Sequence, residues 1–350
     1  MNKRIGIIGH FAYGFDLCDG QTVKTRNVAM LLEKYGYMPS IKVDTYLFKL
    51  KKISKKVKLL LDTLRCMFTC KHIFLLVSVN GMNFYLPFIY YLNKITKRRV
   101  YHYVIGSELI GMVDENSMLV KYLNAINVNW FEYDSGTQHL KNKGVKNAVT
   151  LPNFKMIDPV AEVVPYKNEK YKFCTFSRVM AEKGITDAIK TVKEINDEAD
   201  TCIATLDIYG PVDNAYENTF TQLLEENKDC VCYKGVADSN SSVNILKNYY
   251  ALLFPTYWVG EGVPGTIIDA FAAGIPVIAS DWNANSELIK NNCQGYIYPN
   301  EKMKNLKDAM LCSIQNPREM AEMRYNSRAE FVKYMPESIM ERIIERMQRS

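Results

Sequence analysis

Residues 258–281 read Trp258-Val-Gly-Glu-Gly-Val-Pro-Gly-Thr-Ile-Ile-Asp-Ala-Phe-Ala-Ala-Gly-Ile-Pro-Val-Ile-Ala-Ser-Asp281. A glycine-bearing loop gives way to a helix that begins near Thr266, turns Ile268, Phe271 and Ala272 inward and stops at Gly274. The apolar runs 251–254 before it and 276–279 after it are short strands, so the stretch is a strand–helix–strand unit of a buried parallel sheet. The free N–H groups at the helix start, near Gly265 and Thr266, offer an anion site. Gly262 and Gly265 would let a phosphate approach the backbone without a Cβ in the way. Glu261 stands in the loop, and Asp269 is expected in the first helical turn, where a carboxylate suits the helix dipole.

The same alternation runs outward in both directions. In the first half, strands are expected at 4–8, 39–43, 72–79 and 99–105, the third closed by an Asn80-Gly81 turn. A helix over 20–35 presents Val23, Met30 and Leu31 on one face and stops at Gly36. In the second half, strands at 172–177, 205–209 and 230–233 and a helix at 185–195 repeat the pattern. Pro152, Pro159 and Pro165 mark the stretch between the halves as a linker. The expected fold class is α/β, with two doubly wound Rossmann-like domains and a ligand cleft between them at the carboxyl ends of both sheets.

Length and composition agree: 350 residues are enough for about two domains at roughly 150 residues each. A hydrophobic share of 48% and a charged share of 23% exclude a disordered or fibrous chain. The 9 cysteines, Cys18 among them, are scattered and form no paired C-x-x-C set, so they read as buried, reduced thiols of a cytosolic protein. The N-terminal apolar run is too short for a secretory signal, and no apolar stretch approaches the roughly 18 residues of a membrane span. The net charge of +6 hides a split: residues 1–155 carry 23 basic and 10 acidic side chains, the remainder 21 and 28. A cationic half beside a mildly anionic one points to a membrane surface or nucleic acid facing the first half.

A second loop carries charge suited to phosphate. Phe176-Ser-Arg-Val-Met-Ala-Glu-Lys-Gly-Ile185 joins a strand to a helix and sets Arg178 and Lys183 five residues apart. Two such cations at a helix start can neutralise a diphosphate. The Arg178…Lys183-Gly184 loop, followed by Glu261 and Asp269, resembles glycosyltransferase family 4, retaining enzymes of the GT-B fold. Gly20-Gln-Thr-Val-Lys-Thr-Arg26, Leu151-Pro-Asn-Phe154 and Asp281-Trp-Asn-Ala-Asn-Ser-Glu287 are similar to segments of bacterial members that build capsule or other surface polysaccharide.

The resemblance implies roles. Arg178 and Lys183 would hold the donor's diphosphate, and Glu261 would take hydroxyls of the transferred sugar. The backbone of Gly262, Val263, Pro264, Gly265 and Thr266 would contact that sugar and the phosphates. Asp269 would bind the ribose, at a place where the family pattern has Glu, one methylene longer. Lys234, Gly235 and Val236, just after a strand, would read the base, with Gly210 nearby. From the first domain Asp19, Gly20 and Gln21 would face the sugar, as would His10 at the end of the first strand. Many family members have a histidine after a middle strand; here Gly106 occupies that loop and His102 lies inside the strand. The implied domains are an acceptor-binding domain at 1–155, a linker at 156–170, a nucleotide-sugar domain at 171–330, and a helix at 331–350 crossing back onto the first.

No Asp-x-Asp occurs, so neither a metal nor any other cofactor is expected; the cations and the helix start would carry the leaving charge. Residues 47–65 read as a basic amphipathic helix, with Leu50, Ile53, Val57, Leu60 and Leu64 on one face and six lysines between 49 and 58 on the rest. Phe84-Tyr-Leu-Pro-Phe-Ile-Tyr-Tyr-Leu92 would add an aromatic anchor. The expectation is a hexosyl transfer from a nucleotide diphosphate donor, a UDP-sugar, to a lipid-linked saccharide on the cytoplasmic face of the cell membrane. A nucleotide-sugar epimerase or a non-catalytic nucleotide-sugar binder on the same architecture are the alternatives. Nucleic acid is not expected, since the lysines sit on an amphipathic stripe and not among stacking aromatics.

Overall fold

The computed structural model describes residues 4–15, 19–50, 52–238, 241–299 and 303–349. Cys18, named above, and Lys51, one of the six lysines between 49 and 58, lie outside the described residues. The chain forms two units: one runs to Met156 and resumes at Met335, the other is Ile157–Tyr334.

Unit 1 is built from β1 (Ile5–Gly9), α1 (Gly20–Lys34), β2 (Pro39–Asp44), α2 (Ile53–Thr69), β3 (His72–Leu76), α3 (Val79–Thr96) and β4 (Arg99–Tyr103). It continues through α4 (Leu109–Glu115), α5 (Met118–Asn124), β5 (Val128–Phe131), α6 (Asp134–Asn142) and β6 (Ala148–Thr150). The strands make one parallel sheet in the order β2-β1-β3-β4-β5-β6. β1 and β3 are buried throughout, which is why they read as apolar runs, broken only by His72 at the start of β3. A Cβ on Gly6 would come within 2.2 Å of Cys66 Sγ, so glycine there lets α2 lie close on β1.

Unit 2 holds β7 (Tyr171–Phe176), α7 (Ile185–Glu198), β8 (Ala204–Tyr209), α8 (Glu217–Glu226), β9 (Val231–Gly235), α9 (Ser242–Leu246) and β10 (Ala251–Phe254). It goes on to α10 (Gly265–Ala273), β11 (Val277–Ser280), α11 (Asn285–Leu288), β12 (Gly295–Tyr298), α12 (Met303–Gln315) and α13 (Pro317–Glu330). Its parallel sheet has the order β12-β11-β10-β7-β8-β9. Residues 157–170 count with this unit: Val160 N donates to Ala272 O at 2.9 Å and Arg328 Nε to Val160 O at 2.9 Å. After it the chain enters α14 (Pro336–Arg349), whose Ile339, Met340, Ile343 and Met347 are buried in the core of unit 1.

Four expectations about local structure are corrected. Asn80-Gly81 is not a turn but part of the first turn of α3, with Met82 N bonded to Ser78 O at 2.8 Å; β3 and β4 pair in parallel, so they need a crossover connection, here a helix, and not a hairpin turn. The packed face of α1 is Thr22, Lys24, Thr25, Val28, Leu31 and Leu32, while Met30 is exposed and Val23 half-buried. Apolar periodicity misplaced that face because half of what it buries is polar. The basic segment is not one helix over 47–65: Thr45–Lys49 form a short 3-10 turn, Leu50 is extended, and α2 follows. α2 packs through Leu59, Thr63, Cys66 and Met67, leaving Ile53 (80% exposed), Val57, Leu60 and Leu61 outside. Lastly, Lys234 and Gly235 close β9 rather than follow it.

Among the described residues no helix is long and apolar enough to cross a membrane. The described cysteines are free thiols; Cys66, Cys70, Cys174 and Cys230 are buried, but Cys232 is exposed, against the expectation for it.

Candidate functional site

In unit 2 the strand order reverses between β7 and β10, and an open α/β sheet takes its ligands at such a switch point, outside the carboxyl ends of the strands. The two loops that leave these strands there are 177–184 and 255–264, the two charged stretches read from the sequence. Lys183 ends a short 3-10 turn, and Gly184 (φ +69°) caps α7. A Cβ on Gly184 would lie 2.1 Å from Pro255 O, so only glycine lets these loops touch.

The contact brings Lys183 Nζ onto Glu261 Oε2, with both side chains largely buried (14% and 11% exposed). Thr256, fully buried, donates from Oγ1 to the same carboxylate oxygen at 3.1 Å. Trp258 N in turn donates to Thr256 Oγ1 at 3.2 Å. The loop carrying Glu261 is tied from β11's exit: Trp282 Nε1 donates to Trp258 O at 2.8 Å and Asn283 Nδ2 to Glu261 O at 2.9 Å. Asn283 does so from the left-handed region (φ +47°), a conformation that asparagine tolerates better than most residues. Thr256, Trp282 and Asn283 carried no role in the sequence reading. The signal for Thr256 was its place just past the end of β10, and Trp282-Asn283 lay within a quoted segment.

Arg178 is exposed and lines a cavity of about 290 Å³ with Pro211, Val212, Asp213 and Asn214. The loop after β8 reaches it through Gly210 (φ +136°), where a Cβ would sit 1.8 Å from Ser177 O. α10 opens at Gly265 after Pro264, with Gly262 and Thr266 half-buried and Val263 buried. Thr266 Oγ1 ties the helix start to Phe176 O. Asp269 is buried on α10, but beyond its first turn, which holds no acid; the helix starts one residue earlier than the sequence suggested. Lys234 Nζ lies 3.6 Å from Asp207 Oδ1, and Val236 is exposed.

The candidates of unit 1 stand at the carboxyl edge of its own sheet. Asp19 caps α1 and accepts from Thr22 N (3.1 Å) and Thr22 Oγ1 (2.8 Å); burial raises its pKa, and these bonds outweigh that and leave it below the usual carboxylate value. Gly20 is the first helical residue and Gln21 is half-buried beside it. His10, buried, follows β1 with its N–H on Thr25 Oγ1 (3.3 Å) and its ring edge-on to Tyr46 at 5.2 Å. Burial and then Lys49 lower its pKa, so the ring is neutral at pH 7. His102 is a core residue: fully buried in β4, bonded through Nδ1 to Asn129 Oδ1 at 3.0 Å, with its pKa pushed down by burial to about 4. Gly106 (φ +80°) turns the chain after β4. Among the described residues no group of three or more His, Cys, Asp or Glu is placed to hold a metal ion.

With the switch-point geometry described, likeness to known proteins adds the class. Residues 159–330 match the family model of glycosyl transferases group 1. The match lies within unit 2 and covers just under half of the chain. The fold of the whole chain is GT-B. It superposes on HepE of Anabaena, solved in complex with UDP, with a TM-score of 0.74 over 99% of this chain and 100% of that one at 13% identity. It also matches sucrose-phosphate synthase of Thermosynechococcus elongatus, with a TM-score of 0.73 over 99% and 98% of the two chains at 14% identity. In sequence, 188 residues are 21% identical to the amylovoran biosynthesis glycosyltransferase AmsK of Erwinia amylovora, 51% of this chain and 46% of that relative.

Proposed function

We propose that this chain is a retaining glycosyltransferase of family 4 that moves a hexosyl group from a UDP-sugar to a lipid-linked saccharide during bacterial capsule or surface-polysaccharide synthesis. The observation that carries the reading is the convergence of Lys183, Glu261 and Thr256 at the switch point of the unit that matches the group 1 family model. HepE, the structural relative, is solved with UDP and with UDP-glucose, and the sequence relative is named for amylovoran biosynthesis; both support the donor and product classes.

In this reading Lys183 and Arg178 hold the diphosphate and stabilise its charge as the bond to the sugar breaks. Their charge, with the start of α10, serves where a divalent ion would otherwise be needed. Glu261 takes sugar hydroxyls, Gly262 to Thr266 meet sugar and phosphates through the backbone, and Asp269 receives the ribose. Gly210, Lys234, Gly235 and Val236 receive the base. Asp19, Gly20, Gln21, His10 and Gly106 are the saccharide contacts offered by unit 1 at the edge of its own sheet; His102, buried in its strand, is left out.

The lipid-linked acceptor is supported by the outer face of α2. Ile53, Val57, Leu60 and Leu61 are exposed there beside Lys52, Lys55, Lys56 and Lys58. Phe48 and Phe84 stand near each other with ring centroids 6.5 Å apart, and Lys56 Nζ lies 5.3 Å from the Phe48 ring. Apolar side chains framed by ammonium groups suit the interface of an anionic bilayer on its cytoplasmic side.

The deciding experiment screens UDP-sugars with a polyprenyl-diphosphate saccharide and reads the anomeric configuration of the product. Glu261→Ala should lower the transfer rate by about 10²–10³-fold, as loss of a transition-state contact does, with UDP affinity within a few-fold of the parent. Unchanged turnover, or an inverted product, would refute the assignment.

A further inference from the structure

The loop after β1 is held by an anion of the chain's own. Asp44, the last residue of β2, accepts from three successive backbone N–H groups: Phe11 and Ala12 on Oδ1 (3.0 Å each) and Tyr13 on Oδ2 (3.1 Å). Tyr46 N adds a fourth bond to Oδ1 at 3.1 Å. From α1, Arg26 binds the carbonyls of the same loop, Nε to Phe11 O at 2.9 Å and Nη2 to Ala12 O at 3.1 Å and Phe15 O at 3.3 Å. The backbone N–H groups of Phe11 and Ala12 are thereby held by one carboxylate and their carbonyls by one guanidinium, with Phe15 N also donating to Ala12 O at 3.1 Å. Ala12 lies at φ +49°, a left-handed conformation that costs a non-glycine residue on the order of 1 kcal/mol and persists only where surroundings impose it.

Successive N–H groups converging on one point form an anion-binding concavity. In unit 1 the strand order reverses between β1 and β3, so this concavity stands at the switch point of that sheet, where its ligands are received. His10 opens the loop, buried, and its Nε2 has no hydrogen-bond partner among the described residues. A neutral imidazole nitrogen in that position can bond a sugar hydroxyl.

We propose that Asp44 and Arg26 are positioning residues: a resident carboxylate and its opposing guanidinium lock the strained loop 11–13 so that His10 meets a hydroxyl of the bound saccharide. The proposal rests on the glycosyl-transfer reading above. It makes the loop's anion site a structural device and not a phosphate site.

The test combines amide hydrogen exchange at residues 11–13, UDP release from the UDP-sugar that the full chain turns over, and UDP affinity. Asp44→Ala is expected to speed exchange at these amides at least tenfold and to lower kcat about 10- to 100-fold, with UDP affinity unchanged. Sodium formate, small enough to refill the concavity, should restore both exchange protection and kcat, and sodium chloride at equal ionic strength should restore neither. Asp44→Asn, which keeps the volume and loses the charge, should show the same loss should the alanine variant fold poorly. Faster exchange with kcat unchanged, or a lost kcat that formate leaves unmoved, overturns the proposal. A parent chain that releases no UDP from any donor overturns the transfer reading and the saccharide role with it, while formate-dependent exchange still decides whether Asp44 locks the loop.

Discussion

The two units share a parallel six-stranded scheme and a reversal of strand order, yet they use charge at that reversal differently. In unit 2 a side chain meets a side chain: Lys183 faces Glu261, with Thr256 sharing the carboxylate. In the proposed reading such a pair rearranges when a diphosphate competes for the ammonium, which leaves its charges available for chemistry. In unit 1 side chains meet backbone: Asp44 and Arg26 fasten a loop, and Lys24 is sealed against Glu132 with a further bond to Val104 O at 3.2 Å. There the charge is committed to shape. A buried ion does not by itself mark a site; whether its partner is exchangeable is the more informative property.

The largest effect that would break this comparison comes from the two lysines. Removing one member of a buried pair strands the other, at about 3–5 kcal/mol when burial is complete. Lys24→Ala should therefore lower unfolding free energy by about 4 kcal/mol in a urea titration, with the kcat of whatever fraction stays folded little changed. Lys183→Ala, at a less complete burial, should cost about 2 kcal/mol and abolish most turnover. Equal loss of activity per folded molecule in both variants would erase the distinction. Next in size is a pH effect confined to unit 1. The His102 pKa is held at about 4 against 6.5 for the free side chain, so below pH 6.5 the unfolded chain binds a proton that the folded chain refuses. Stability is full above pH 6.5 and falls by about 3 kcal/mol as pH drops to 4. Comparing the pH dependence of unfolding for the parent and His102→Leu isolates this share, and parallel curves would contradict it. The smallest expected effect lies on α2: Lys56→Gln should weaken binding to phosphatidylglycerol vesicles by about fivefold, on the order of 1 kcal/mol, without altering UDP affinity. Equal retention on neutral and anionic vesicles would remove the electrostatic part of the membrane reading.

Both sheets were legible in the sequence because strands buried on two faces are near-continuous apolar runs, as β1 and β10 are and as β3 and β11 are apart from His72 and Ser280 at their ends. The Gly274 stop of α10 was equally plain, since its φ of +63° favours glycine. What escaped was burial of polar groups. Lys24 and Thr25 lie inside beside Val28, Leu31 and Leu32, so the hydrophobic signature of α1's buried face is diluted by polar residues. Asn80-Gly81 spells a turn locally, and tertiary context overrode it. In the site, Glu261 and Lys183 stand out as charges in glycine-rich loops. Their supports, Thr256, Trp282 and Asn283, act through a hydroxyl, an indole and an amide that occur anywhere in a chain. Asp44 was hidden for the same reason: at the end of a strand, nothing in its neighbours tells a solvated acid from one that gathers amides 31 to 33 residues away.

The route of the backbone has a consequence for biogenesis. α14 supplies Ile339, Met340, Ile343 and Met347 to a core whose other buried members precede residue 155. During synthesis the ribosome must finish all of unit 2 before those side chains exist. Unit 2 is continuous in the chain and can mature while still tethered. Unit 1, whose sheet is made before unit 2, is therefore completed after it, and its apolar seam against α14 stays open to chaperones until that helix has been made.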